Sequence, residues 1–182
     1  MTAALALLRG VNVGGRRKVP MADLRAIVES FGHSEVATLL NSGNVVFAAS
    51  GGAEFDAAAA AADITAGVRG RLGLEVDVVV RTAAQVDAVV AANPFVEAAR
   101  TDPSHLVVVF YSDPVRDAVL DMSRHGSEQV VWDGAQAYVT YPEGIGRSTL
   151  TADALDRAAG QPGTGRNWRT VLALQELLLA RA

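Results

Sequence analysis

Three glycine loops that carry cations hold the residues best suited to chemistry in this chain. The first runs Arg9-Gly10-Val11-Asn12-Val13-Gly14-Gly15-Arg16-Arg17-Lys18, between an apolar run and a helical pattern. Glycine-rich backbone exposes N–H groups, and with four cations beside them the loop suits an anion such as phosphate. The second is Gly144-Ile145-Gly146-Arg147-Ser148-Thr149, where Ser148 or Thr149 can cap a helix and Arg147 adds charge. The third, Gly163-Thr164-Gly165-Arg166-Asn167-Trp168-Arg169, leads into the last helix with two cations and an indole able to stack on a base.

Each loop also has a plainer reading. Gly10 to Gly15 has the outer spacing of a P-loop, but Arg16-Arg17 follow where Lys-Ser/Thr is required, so nucleotide hydrolysis by that motif is not expected. Arg16 and Arg17 suit a solvated connection, Gly146 and Gly165 tight turns, Asn167 a helix cap and Trp168 a core plug. His33, His105 and His125 lack metal-ligand spacing, and neither Ser42 nor Ser148 has a base within sequence reach. Asp153 and Asp156 lie three apart on one helical face, where they could face the cations or simply stand solvated. The absence of cysteine excludes disulfides, thiolate metal sites and cysteine nucleophiles. These patterns leave the catalytic residues unknown, and no metal or cofactor is expected from them.

The elements that position these loops follow a regular rhythm. Ala3–Leu8 reads as a first strand; a signal peptide would need a basic start and a longer apolar stretch. Met21, Leu24, Ile27, Val28 and Phe31 recur at helical spacing before Gly32. Strands at 36–40 and 45–48 flank Asn41-Ser42-Gly43-Asn44, a turn composition. A helix at 54–72 and a strand at 75–80 complete β-α-β-β-α-β. Thr82-Ala83-Ala84-Gln85 has capping-box spacing for another helix. The rhythm then restarts with a strand at 105–111, a helix at 113–122, a hairpin around Asp133-Gly134, a helix at 149–159, a glycine loop at 160–165 and a last helix.

The expected fold is therefore α+β, with two tandem ferredoxin-like subdomains (βαββαβ, the split βαβ) and an extra C-terminal helix. Residues 1–92 form the first, 93–104 a linker with two prolines, and 105–182 the second. Right-handed crossovers make the first two strands parallel with the third between them, which brings Arg9–Lys18 beside Asn41, Ser42, Gly43 and Asn44. The candidate ligand-binding residues are Arg9, Asn12, Gly14, Gly15, Lys18, Asn41, Ser42, Gly43, Asn44, Gly146, Arg147, Ser148, Arg166, Asn167 and Trp168.

Leu7-Leu8-Arg9-Gly10-Val11-Asn12-Val13-Gly14-Gly15, Lys18-Val19-Pro20-Met21 and Asn41-Ser42-Gly43-Asn44-Val45-Val46-Phe47 resemble the opening of the domain-of-unknown-function 1697 family. Asn93-Pro94-Phe95, Tyr141-Pro142-x-Gly144-Ile145-Gly146-Arg147-Ser148 and Arg166-Asn167-Trp168-x-Thr170-Val171 resemble its later motifs. The resemblance implies a pair of ferredoxin-like subdomains in a small bacterial protein, and no assigned activity. Leu40 departs from the polar residue usual there, and Ala173 from a common lysine.

Three functions remain open. The loops could bind a phosphate-bearing ligand, either a nucleotide or nucleic acid; they could join the subdomains of an interaction module; or they could act on an anionic small molecule. The net charge of −4, from 16 basic and 20 acidic residues, argues against holding nucleic acid through bulk charge. No apolar run reaches membrane-spanning length, so a cytoplasmic protein without a membrane partner is expected. Oligomeric state is not legible.

Overall fold

The computed structural model describes residues 2–181. Two compact units emerge, Met1–Ala88 with Ala173–Ala182, and Val89–Leu172. The architecture is α+β, each unit carrying a four-stranded antiparallel sheet.

In the first unit, β1 (Thr2–Leu8), β2 (Ser34–Leu39), β3 (Asn44–Ala49) and β4 (Val78–Thr82) lie in the order β2-β3-β1-β4. Helix α1 (Met21–Ser30) links β1 to β2, and α2 (Ala57–Leu72) links β3 to β4. Alternate residues of β1, Ala4, Ala6 and Leu8, meet Leu24, Ile27 and Val28 of α1 and Ile64 and Val68 of α2. Each branched side chain so buried contributes about 1.5–3 kcal/mol. Asp56 caps α2 by accepting from the Ala58 and Ala59 amides, so the helix starts two residues after the aspartate's predecessor Phe55 rather than at Glu54. Edge strand β2 carries a bulge between Ser34 and Ala37, with Glu35 at φ 51°. Helix α3 (Ala83–Ala91) opens on the expected capping box, Gln85 Oε1 accepting from the Thr82 amide at 2.9 Å and Thr82 Oγ1 from the Gln85 amide at 3.3 Å.

In the second unit, α4 (Val96–Thr101) occupies part of the segment expected as a linker. Strands β5 (Leu106–Tyr111), β6 (Gln129–Asp133), β7 (Gln136–Thr140) and β8 (Gly163–Asn167) take the order β6-β7-β5-β8. Helix α5 (Ala152–Ala159) precedes β8, and α6 (Trp168–Leu179) follows it, its residues from Ala173 onward belonging to the first unit.

Three expectations differ from the structure. No α-helix forms at 113–122, where only Met122–Arg124 makes a 3-10 turn. The Val115 amide donates to Gly134 O, the Asp113 amide to Gln161 Oε1, and Asp117 sits at φ 53°, so tertiary partners hold this backbone outside helical geometry. The glycine loop at 160–165 gives way to β8, so a fourth strand does precede the last helix. Its two glycines and single β-branched residue conceal a strand that pairing with β5 supplies. The helix expected from 149 begins at Ala152, capped by Thr151 Oγ1 on the Ala154 amide.

Candidate functional site

The ends of β1 and β2 meet where the crossover argument places them. Asn44 pairs with Leu7 on one side and Leu39 on the other, and the Leu8 amide donates to Gly43 O. From this edge the first loop folds as a small hairpin. Asn12 N–H donates to Arg17 O, Val13 bridges Arg16, and Gly14 (φ 57°) and Gly15 (φ 74°) form the two-residue turn, both with the positive φ that the primed hairpin turns demand. The Asn12 and Arg16 amides are therefore spent inside the loop.

Asn12 ties the loop to its neighbours. Its Oδ1 accepts from the Val19 amide at 2.9 Å, while Nδ2 donates to Val19 O at 2.9 Å and to Asn41 O at 2.7 Å. Its own φ is 56°, a left-handed conformation that asparagine tolerates. In the facing turn, Asn44 is fully buried and its Nδ2 donates to Leu39 O and Ser42 Oγ. Gly43 (φ 78°) leaves no room for a side chain, since a Cβ there would lie 2.7 Å from Leu8 Cβ and Val11 Cγ2.

This latch frames an open cleft of about 430 Å³ lined by Asn12, Gly15, Lys18, Val19, Pro20, Met21 and Asn41. Among the described residues, one lysine and no carboxylate line it. Pro20 stands at the N-cap of α1 and offers no capping side chain, and Pro20 and Met21, where α1 starts, line the cleft. Nearby acids carry their own cations: Asp23 with Arg71 at 2.8 Å, and Glu75 with Arg69 at 2.8 Å. Among the described residues Arg16 and Lys18 make no ion pair, and the Arg17 guanidinium donates to Glu75 O. Arg9 is half-buried, its amide on Asp77 O. Val13 and Leu40, both exposed, flank the Asn12–Asn41 bond; neither they nor Pro20 and Met21 carried a charge pattern that would single them out in sequence.

The other candidates belong to the second unit. Ser148 and Asn167 share a cavity of about 510 Å³, with Gly146 and Arg147 exposed in the 3-10 turn Ile145–Arg147 at its mouth. Ser148 Oγ donates to Glu128 and accepts from the Leu150 amide at 3.0 Å. The Ser148 bond, more than any other group, holds the Glu128 carboxyl below the usual range. Asn167 caps α6, its Oδ1 accepting from the Thr170 amide and hydroxyl, both at 3.0 Å. Trp168 is buried, and Arg166 is buried enough that its pKa is pushed down to about 10. Arg166 Nη1 donates to Thr164 Oγ1 and Gly165 O.

Arg81 of β4 is the equivalent of Arg166: each is buried on the last strand of its sheet, one residue before a capping side chain that holds the amide three residues on. The paired spellings Arg81-Thr82-x-x-Gln85 and Arg166-Asn167-x-x-Thr170 are a repeat signal that residue identity alone had hidden. His105 Nδ1 lies 2.7 Å from Asp102 Oδ2, beside a hollow of about 290 Å³. Among the described residues no three His, Cys, Asp or Glu side chains gather to hold a metal, and no helix is long and apolar enough to cross a membrane.

Residues 1–138 match the family described as "Protein of unknown function (DUF1697)". The chain belongs to this family. The matched range takes in the whole first-unit cleft, whereas the motifs at 141–148 and 166–171 lie beyond it. No curated protein matches the chain in sequence. Among solved structures, the conserved bacterial protein SP0830 from Streptococcus pneumoniae is similar, at 18% identity and a TM-score of 0.65, over 97% of this chain and 98% of that one. At that identity the likeness speaks for the fold alone.

Proposed function

We propose that this DUF1697 chain is a binding module for a phosphate-bearing ligand, seated in the cleft at the β1–β2 edge. The observation that carries the reading is the gathering of Asn12, Gly15, Lys18 and Asn41 around one cleft with a lysine, an uncapped helix start and no carboxylate. A helix N-terminus with a cation beside it favours an anion on both counts. In this reading Lys18 and Arg16 neutralise the phosphate, the first-turn amides of α1 orient it, and Asn12 and Asn41 hold the wall rather than touch the ligand. Arg9 and Arg17 shape the rim.

The order β2-β3-β1-β4 with crossover helices supports a ferredoxin-like first unit, and β6-β7-β5-β8 supports the same plan without its first helix in the second. We propose a bacterial setting on the family resemblance.

Titration with inorganic phosphate, ADP and adenosine at low salt, followed by amide NMR, tests the proposal. ADP and phosphate should shift the amides of Met21, Ala22 and Asp23, and adenosine should not. Lys18→Glu should weaken ADP binding about tenfold or more, the scale of one charge-assisted hydrogen bond. Equal binding of adenosine and ADP, or no shift with either anion, would refute it. A short single-stranded oligonucleotide with a steep salt dependence would identify nucleic acid as the phosphate source.

A further inference from the structure

The second unit holds a different kind of site. We infer that its cavity takes a small, uncharged, mainly apolar molecule bearing one hydrogen-bond acceptor such as a carbonyl oxygen. The inference is independent of the anion cleft.

The cavity arises from two local departures in the fold. In the first unit two helices cover one face of the sheet, whereas the β5–β6 connection forms no α-helix and α5 has 8 residues against the 16 of α2. On the same face, β8 presents Gly163 and Gly165, opposite Tyr111 and Val109 of β5. A Cβ at 163 would lie 2.6 Å from Tyr111 Cε1 and Val109 Cγ1, and one at 165 would lie 3.2 Å from Val107 Cγ1. Strand glycines often mark a place where another group approaches the backbone. At Gly163 the side chains of Tyr111 and Val109 already fill that space, while Gly165 leaves a floor of bare backbone beside Val107, and both glycines line the cavity.

Leu150, Leu155 and Tyr141 wall the space and Ile145 stands at its mouth, giving the roughly 510 Å³ usual for small-molecule sites. The polar groups on the lining define the ligand's one polar end. Ser148 is spent on Glu128 and the Leu150 amide. Asn167 Oδ1 must be the acceptor of the Thr170 amide, which fixes Nδ2 as a donor with no hydrogen-bond partner among the described residues. Thr151 Oγ1 accepts from Ala154, leaving its hydroxyl proton available. Both groups offer donors, so the ligand supplies an acceptor. Asp156 lies on the same lining and accepts from the Gly163 amide, which disfavours a carboxylate or phosphate there. An apolar body with a neutral acceptor satisfies all of these.

Methyl NMR of the full chain with toluene, acetophenone and benzoate as probes tests the site. Toluene and acetophenone should shift the methyls of Val107, Val109, Leu150 and Leu155, acetophenone binding about 3- to 10-fold more tightly, the scale of one neutral hydrogen bond. Benzoate should bind more weakly than acetophenone. Asn167→Asp keeps an oxygen to cap α6 but removes the donor; it should bring acetophenone down to toluene while leaving toluene unchanged. Gly165→Val should fill the floor and abolish both. The inference is overturned if neither neutral probe shifts these methyls at millimolar concentration, if benzoate binds best, or if Asn167→Asp leaves the acetophenone preference intact. Unchanged binding in a folded Gly165→Val would also overturn it.

Discussion

Replacing Asn12 should cost more than its half-exposed position suggests. Its side chain makes three hydrogen bonds, two donated by Nδ2 and one accepted by Oδ1, and they join three chain segments. At about 1 kcal/mol each, these amount to about 3 kcal/mol, less whatever water restores at the surface. Alanine must also hold a φ of 56°, costing roughly 1 kcal/mol. Asn12→Ala should therefore lose about 2–4 kcal/mol. Asn12→Gly removes the φ cost and should lose less. Asn12→Asp keeps the acceptor for the Val19 amide but sets a carboxylate against Val19 O and Asn41 O, and should lose most. Urea denaturation gives the global loss, and hydrogen exchange at the Val19 amide reports opening of the loop alone. If Asn12→Ala stays within about 0.5 kcal/mol of the parent and the Val19 amide keeps its protection, the latch is not what holds this edge together.

Two further outcomes follow from the same geometry. Gly43→Ala meets Leu8 Cβ and Val11 Cγ2 at 2.7 Å with φ 78°, so strain and overpacking together should cost about 2–5 kcal/mol, read as a lower Tm; a Tm within about 3 °C of the parent counts against it. Burial pushes Tyr138 and Tyr141 up to about 12, above the ordinary value near 10. The folded chain keeps those protons while the unfolded chain releases them, so stability is full below about pH 10 and falls between about pH 10 and 12, by roughly 1.4 kcal/mol per pH unit for each tyrosine. Urea titrations across that range should show the slope, and Tyr141→Phe should halve it; a flat profile would refute the assignment.

Much of the first unit was legible because its signals are local. The spacing of Leu24, Ile27 and Val28, the Thr82–Gln85 capping box and the turn around Gly43 each lie within a few residues of the backbone they shape. The meeting of Asn12 with Asn41 was legible too, through handedness, though the latch itself was not. What escaped were places where distant partners decide. Val115 and Asp113 give their amides to Gly134 and Gln161, which defeats a helix that Pro114 and the apolar spacing favour. Gly163 and Gly165 become strand only because β5 lies beside them. For the same reason Ser148 and Asn167 read as members of an anion loop, while the apolar space they border depends on side chains from β5 and α5.

The helix missing between β5 and β6 has a consequence for handling the protein. Residues 112–128 form a long surface connection with little regular structure, and Arg116 and Arg124 stand exposed within it. Exposed, irregular segments are where proteases first nick a folded chain. Brief trypsin treatment should cut there, leaving β5 on one fragment and β6, β7 and β8 on the other. The β5–β7 and β5–β8 ladders would hold the two pieces together, so the nicked protein should still migrate as one particle until denaturant separates it.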